Sequence, residues 1–208
     1  MANIKDIAYV RFCVADLQAQ KQFLDDFGFQ TKIENGLLSA RGTDCSPYIY
    51  LAEESSEPAF VSVGFAAESE AALREIAAID GAPVESNPME GGGLITRLTD
   101  PNGFAVDVIA GGRNARSLNI AGRSDFNRGD HKQRLGQRVA FEAPECLIKR
   151  LGHVVLMVND FNETFEWYKR RLGLMISDEI VMDKDGKEQT LGAFTRCNRG
   201  AEFVDHHT

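Results

Sequence analysis

The sequence predicts an α+β protein built from three βαβββ units, and an internal repeat is the main reason. The segments IAYVRFCVADLQAQKQFLDDFGF at 7–29 and LGHVVLMVNDFNETFEWYKRRLGL at 151–174 each open with an eight-residue run that is largely apolar. Each then reaches an aspartate, continues in a helical pattern and stops at or near a glycine, and a weaker copy begins at Phe60. Repetition on this scale indicates repeated supersecondary units. The predicted units cover about residues 5–55, 58–111 and 150–208.

Within the copy at 151–174, periodicity predicts a strand followed by a helix. Val154, Leu156 and Val158 alternate on one face, which is typical of a half-buried strand. Asp160 is placed to cap the helix, and Gly173 suits the left-handed position that ends one. The helical positions at spacings of four, three and four, which predict one buried stripe, are Phe161, Phe165, Tyr168 and Leu172.

Turn chemistry between apolar runs predicts the hairpins. The sequence DPNG at 100–103 has a turn-forming residue at every position and predicts a hairpin that joins 94–98 to 104–109. The sequence DKDG at 183–186 predicts a second hairpin, whose return strand covers 191–197. The other predicted elements are a helix at 69–79 and a strand at 46–51.

Composition and charge narrow the classes of function. The chain has 208 residues, of which 43% are hydrophobic and 26% charged, as in a globular protein. Its net charge of −8 suits a polyanion poorly, so we expect no nucleic-acid partner. No apolar run approaches the roughly 18 residues of a membrane helix, and the amino end resembles no leader. We therefore expect no membrane partner and a cytoplasmic location, with the four scattered cysteines reduced.

The segment 111–150 differs in charge from the rest of the chain and predicts the domain organisation. It holds nine basic and four acidic residues, so it carries +5 and the remainder −13. It shows no sustained apolar period, and we interpret residues 112–149 as a basic linker. The linker would divide a first domain at 1–111 from the first unit of a second domain at 150–208. Residues 112–138 should be irregular and mobile or wrapped over the first domain. A nucleic-acid arm is the alternative, but only two aromatic residues, Phe126 and Phe141, occur among the arginines.

Three of the four histidines lie in the last predicted unit and raise the question of a metal. His153 lies on the face of the predicted opening strand that also carries Leu151, Val155 and Met157. The equivalent face of the first copy carries Ile7, Tyr9, Arg11 and Cys13, so it accepts polar groups and would line a cleft. His206 and His207 are adjacent, and in an extended chain only one of them can face His153. Two histidines with one carboxylate commonly hold Fe(II) or Mn(II). A half-buried structural histidine is the simpler interpretation of His153 alone.

The segments GHVVLMVNDFNETFEWYKRRLGL at 152–174 and RCNRGAEFVDHHT at 196–208 resemble the vicinal-oxygen-chelate superfamily, which contains glyoxalases, bleomycin-resistance proteins and dioxygenases. More narrowly, they resemble the type I extradiol (catechol meta-cleavage) dioxygenases. The resemblance implies successive βαβββ modules in curved, mostly antiparallel mixed sheets from about residue 4 to the end. It also implies Fe(II), with Mn(II) as a second possibility, and ring cleavage of a catechol-type substrate by dioxygen.

The same resemblance assigns roles to individual histidines. His153 and His207 match the two iron-ligating histidines, and His206 would face away or contact a ligand. Tyr9 takes the place of His153 in the first copy, in agreement with a metal-free amino-terminal domain. The family has a fourth module with a ligating glutamate and a catalytic histidine, for which this sequence offers no match. We therefore expect a truncated form that is inactive alone and forms a homo-oligomer, with its third ligand and catalytic residues unassigned.

Two other functions remain open from the sequence. A metal enzyme such as a glyoxalase-like lyase would distribute its ligands over paired modules, yet Tyr9 offers no imidazole in the first unit. A metal-free ligand-binding protein would resemble the bleomycin-resistance proteins, which capture a ligand between paired modules. Metal content after anaerobic loading with iron separates the last class from the enzymes.

Overall fold

The computed structural model describes residues 3–118, 129–132, 136 and 147–208. These residues form ten strands and three helices. In chain order the elements are β1 (Ile4–Val14), α1 (Leu17–Asp26), β2 (Gln30–Glu34), β3 (Leu37–Arg41), β4 (Tyr50–Glu54), β5 (Ala59–Ala67), α2 (Glu70–Asp80), β6 (Val84–Ser86), β7 (Leu94–Thr99), β8 (Ala105–Ala110), α3 (Phe161–Leu172), β9 (Leu174–Lys184) and β10 (Lys187–Cys197). No helix in these ranges is long and apolar enough to cross a membrane.

The main sheet has eight strands in the order β2-β3-β4-β1-β5-β8-β7-β6. Strand β1 pairs with β4 in parallel, β5 pairs with β8 in parallel, and the other neighbours are antiparallel. The sheet therefore consists of two βαβββ units that join through the antiparallel pair β1–β5. The predicted α+β class and mixed, mostly antiparallel sheet are confirmed. The division into domains stays a prediction.

The helices begin and end at capping residues that can be recognised in the sequence. Ser69 caps α2 through its hydroxyl, and Gly81 ends it with a φ of 64°. The Asp160 side chain accepts the Glu163 backbone N–H at 2.9 Å, and Gly173 ends α3 with a φ of 72°. The predicted caps of α3 are confirmed, because each depends only on neighbouring residues and the backbone groups that a helix leaves unpaired.

The predicted stripe on α3 is only half buried. Tyr168 and Leu172 lie in the main hydrophobic core, whereas Phe161 and Phe165 are partly exposed. The two phenylalanine rings stack on each other, with centroids 5.9 Å apart. The periodicity was correct, but the amino-terminal turns of α3 contribute no residue to the core. The predicted strand at 46–51 is also displaced, since β4 begins at Tyr50.

The predicted strand at 151–158 is wrong, because these residues form no strand with any described part of the chain. In the first unit, β1 gains its partners from β4 and β5. Among the described residues, the last unit has only the hairpin β9–β10, whose two strands pair with each other. The alternation of faces nevertheless holds. Val154 and Leu156 pack against the core, while Val155 and Met157 are 74% and 87% exposed.

The last unit packs on the helical side of the second unit. Residues of α2, β5 and β8 share one core with Tyr168, Leu172 and the hairpin strands. The side chain of Asn102, in the DPNG turn, accepts the Asn159 backbone N–H at 2.8 Å and donates to the Thr164 hydroxyl at 2.9 Å. These contacts fix the start of α3, and with it the segment that bears His153.

The described ends of the predicted linker lie against the first unit. The backbone N–H of Ala115 donates to Cys45 at 2.8 Å, and that of Leu118 donates to Thr43 at 2.8 Å. Thr43 in turn donates its N–H to Ile148 at 2.9 Å. Residues 112–118 are therefore irregular and lie over the first unit, which agrees with the prediction for this part of 112–138. Most of that segment, at 119–128, 133–135 and 137–138, lies outside the described residues.

Candidate functional site

The structure brings His153 and His207 together. Their ring centroids are 4.2 Å apart, with an angle of 60° between the ring planes. His153 is exposed on the segment before α3, and His207 is half-buried in the segment that follows β10. The ring of Phe194, on β10, lies 5.2 Å from that of His207. Two imidazoles separated by more than 50 residues in the sequence therefore share one surface.

Backbone and side-chain contacts hold the segment 205–208 beside the hairpin. The Thr208 backbone N–H donates to the Thr195 carbonyl at 2.7 Å, and the Ser177 hydroxyl donates to the His206 carbonyl. Asp205 forms an ion pair with Arg150 at the start of the last unit. The segment that bears His207 is thus held against β9 and β10, and one salt bridge connects it to the segment that bears His153.

His206 does not face away from the pair. Its Nε2 lies 2.6 Å from Oδ2 of Asp178, and its Nδ1 lies 3.0 Å from Nδ1 of His207. The expectation that His206 contacts a ligand histidine agrees with this geometry. The contribution of Asp178 was missed. Asp178 reaches this place through a hairpin register that sets it opposite Phe194 and that contains a bulge between Thr190 and Gly192.

The two histidines could fill two ligand positions of a divalent-metal centre, and the third position has no ligand among the described residues. The exposed ring of His153 and the half-buried ring of His207 lie side by side, and imidazole is a common ligand of such metals. Within the described ranges, no three His, Cys, Asp or Glu side chains are grouped so that they could hold a metal ion. The Asp178 carboxylate is engaged by His206 instead. An iron or manganese ion would therefore be held by His153 and His207 and by an anionic donor that these residues do not provide.

The matching position of the first unit has different chemistry. Tyr9 is 2% exposed, and its hydroxyl donates to Oδ2 of Asp107 at 2.7 Å. The Ser62 hydroxyl donates to the same oxygen at 2.7 Å. Burial, and then the charge of Asp107, raise the pKa of Tyr9, so the phenol keeps its proton. This position offers a buried hydrogen-bond donor where the last unit offers an exposed imidazole.

The prediction that Ile7 and Tyr9 share one face of β1 is wrong. Ile7 lies in the main core with the helices, whereas Tyr9 packs in a separate cluster with Tyr48 and Leu51. The pairing of β1 with β5 shifts register between Ile7 and Tyr9. An extra residue at this bulge turns the two side chains to opposite faces, which simple alternation cannot predict.

An open cavity of about 580 Å³ lies next to the histidine segment, although the histidines do not line it. It is bordered by Arg150, Cys197, Phe203, Asp205 and Thr208 among others. Burial raises the pKa of the Cys197 thiol to about 11. The thiol is therefore protonated near neutral pH.

Comparisons with known proteins agree with this architecture. Residues 150–208 match the family described as the Glyoxalase/Bleomycin resistance protein/Dioxygenase superfamily. Metapyrocatechase 2 of Cupriavidus necator is 26% identical over 196 residues, which are 93% of this chain and 57% of that protein.

Solved structures extend the likeness of fold to the whole chain. The Mn(II)-bound glyoxalase of Novosphingobium aromaticivorans superposes with a TM-score of 0.70 at 18% identity, over 100% of this chain and 61% of that one. A variant of homoprotocatechuate 2,3-dioxygenase from Brevibacterium fuscum has a TM-score of 0.70 at 19% identity, over 93% of this chain and 50% of that one. The chain thus spans between half and about three fifths of the length of these relatives. Residues 150–208 thus match the Glyoxalase/Bleomycin resistance protein/Dioxygenase superfamily, and the fold of the chain is similar to the folds of these two solved enzymes.

Proposed function

We propose that this chain contributes two histidine ligands to the Fe(II) centre of an extradiol dioxygenase, which cleaves a catechol-type aromatic with dioxygen. The observation that carries the proposal is the contact between His153 and His207, whose ring centroids are 4.2 Å apart. The likeness to metapyrocatechase 2 and to homoprotocatechuate 2,3-dioxygenase supports the choice of reaction. Mn(II) is the second candidate metal, as in the glyoxalase of similar fold.

In this function His153 and His207 would hold the metal through ring nitrogens. When bound, the metal supplies a Lewis acid beside which both reactants can be held in reacting geometry. The chain also supplies an apolar surface next to the ligands. Phe194 borders His207, and the exposed side chains of Val155 and Met157 follow His153 along the segment before α3. These groups would orient an aromatic ring and reduce the access of water to its reacting edge.

A metal-dependent lyase of the glyoxalase kind is the second candidate. The observation that favours it is the Mn(II)-bound glyoxalase, whose structure covers this chain from end to end at a TM-score of 0.70. The two enzymes differ in the ligand that the metal must accept. A dioxygenase centre binds a catechol through two adjacent ring oxygens, so binding of a catechol to the metal-loaded chain discriminates between them.

The first test is an anaerobic titration of the chain with Fe(II), followed by desalting and measurement of the bound metal. We expect the wild-type chain to retain iron and the variants His153→Ala and His207→Ala to lose it. His131→Ala is the matched control, because His131 is an exposed histidine outside the pair. Equal retention by all four proteins, or none by the wild type, would refute the proposed centre. The latter outcome would favour a metal-free binding protein.

The second test adds 4-nitrocatechol, whose absorption shifts when its oxygens bind a metal. We expect a shift with the iron-loaded wild-type chain and none with His153→Ala or His207→Ala. If iron is retained by the pair but 4-nitrocatechol does not bind, the catechol part of the proposal is wrong and the lyase is favoured.

A further inference from the structure

We propose that Asp178 and His206 are positioning residues that set the tautomer of His207, so that Nε2 of His207 is the nitrogen left free for a metal. The three side chains form one hydrogen-bonded row on the surface of the last unit. The inference rests on the proposed function only in taking His207 as a metal ligand. The row itself is a property of the metal-free chain.

The first step concerns the contact between Asp178 and His206. Oδ2 of Asp178 and Nε2 of His206 are 2.6 Å apart, which is a hydrogen-bond distance. An ionised carboxylate can only accept, so Nε2 of His206 must carry the hydrogen and donate it. In a neutral His206 the other nitrogen, Nδ1, then has a lone pair and no hydrogen.

The second step concerns the contact between the two histidines. Nδ1 of His206 and Nδ1 of His207 are 3.0 Å apart, and one of them must donate for the contact to be a hydrogen bond. Because Nδ1 of His206 has only a lone pair, Nδ1 of His207 is the donor. Its Nε2 is consequently unprotonated and available as a ligand. The hydrogen bond made by one ring nitrogen decides which nitrogen of an imidazole can bind a metal.

The surroundings fix the row in place. Asp178 lies on β9 directly opposite Phe194, and the Phe194 ring is 6.0 Å from that of His206 and 5.2 Å from that of His207. The Ser177 hydroxyl holds the His206 carbonyl, as described above. Without Asp178, His206 would be free to carry its hydrogen on Nδ1. That hydrogen would then point at His207 and favour the tautomer whose Nε2 is blocked.

The experiment compares two neighbouring carboxylates on β9. Asp178→Ala removes the acceptor of the row. Glu179→Ala is the matched control, since Glu179 is an exposed carboxylate on the next position of the same strand. The proteins are labelled with ¹⁵N at histidine and kept free of metal. Long-range ¹H–¹⁵N correlation at about pH 8, above the ordinary pKa of histidine, reports which ring nitrogen carries the hydrogen.

We expect His207 to be protonated at Nδ1 in the wild-type chain and in Glu179→Ala, and to shift towards protonation at Nε2 in Asp178→Ala. Loss of a group that orients a metal-ligating histidine typically costs roughly 10–100-fold in metal affinity. A titration with Co(II) should therefore show a loss of this size in Asp178→Ala and no change in Glu179→Ala.

Two outcomes overturn the inference: protonation of His207 at Nε2 in the wild-type chain, or an unchanged tautomer in Asp178→Ala. The proposed function fails in a different way. If the tautomers behave as expected but neither Fe(II) nor Co(II) binds to the wild-type chain, the hydrogen-bonded row stands and the metal centre does not.

Discussion

Tyr9→Phe tests the chemistry of the position that the repeat equates with His153. The substitution keeps the ring and removes only the hydroxyl that donates to Asp107 at 2.7 Å. Asp107 is 4% exposed, so water cannot replace this donor, and Ser62 remains the other side chain that donates to the same oxygen. A hydrogen bond to a charged group contributes roughly 1.5–3 kcal/mol. We expect the free energy of unfolding to fall by this amount.

The assay is urea denaturation followed by circular dichroism, with Tyr50→Phe as the control that also removes one hydroxyl. Tyr50 is only half-buried, and its hydroxyl makes no hydrogen bond with the described residues, so a change within about 0.5 kcal/mol is expected there. Ser62→Ala completes a double-mutant cycle. Because both hydroxyls donate to one carboxylate oxygen, removal of both should cost more than the sum of the single losses. A loss below about 0.5 kcal/mol in Tyr9→Phe would refute the reasoning.

Three further outcomes are expected. Gly64→Ala should lower the free energy of unfolding in urea by roughly 1–3 kcal/mol, because a Cβ there would lie 2.3 Å from the Tyr9 ring. Gly192→Ala is the control and should show no such loss, since a Cβ there would meet open space. Cys197 should react more slowly with iodoacetamide at neutral pH than Cys13, as measured by peptide mass, since burial raises the pKa of Cys197 to about 11. The iron-loaded chain should form no yellow ring-cleaved product from catechol in air, because the described residues supply no third ligand; rapid yellow product would contradict this.

Local sequence rules predicted the elements that depend on local interactions. The cap at Asp160, the helix end at Gly173 and the DPNG hairpin each involve residues within a few positions of one another. The turn of the second hairpin has positive φ at Asp185 and Gly186, which the sequence DKDG suggests directly. These features were predictable because the backbone groups that they satisfy lie next to them in the chain.

Features that depend on partners or on bulges were not predictable in the same way. The alternation at 151–158 is that of a strand, but a strand also needs a neighbour, and the described residues provide none. Asp178 illustrates the second limit. Counting back from the DKDG turn places residue 193 opposite Asp178, whereas a bulge between Thr190 and Gly192 brings Phe194 there instead. A shift of one residue moves a side chain to the other face of the sheet.

The two halves of the repeat show why a matching position does not imply matching chemistry. At Tyr9 the side chain is buried, keeps its proton and uses it to stabilise the carboxylate of Asp107. At His153 the ring is exposed and lies beside the ring of His207. A metal ion requires an unprotonated donor that it can reach, and only the second position offers one. Burial and hydrogen-bond direction, rather than place in the repeat, therefore decide which half can bind a metal.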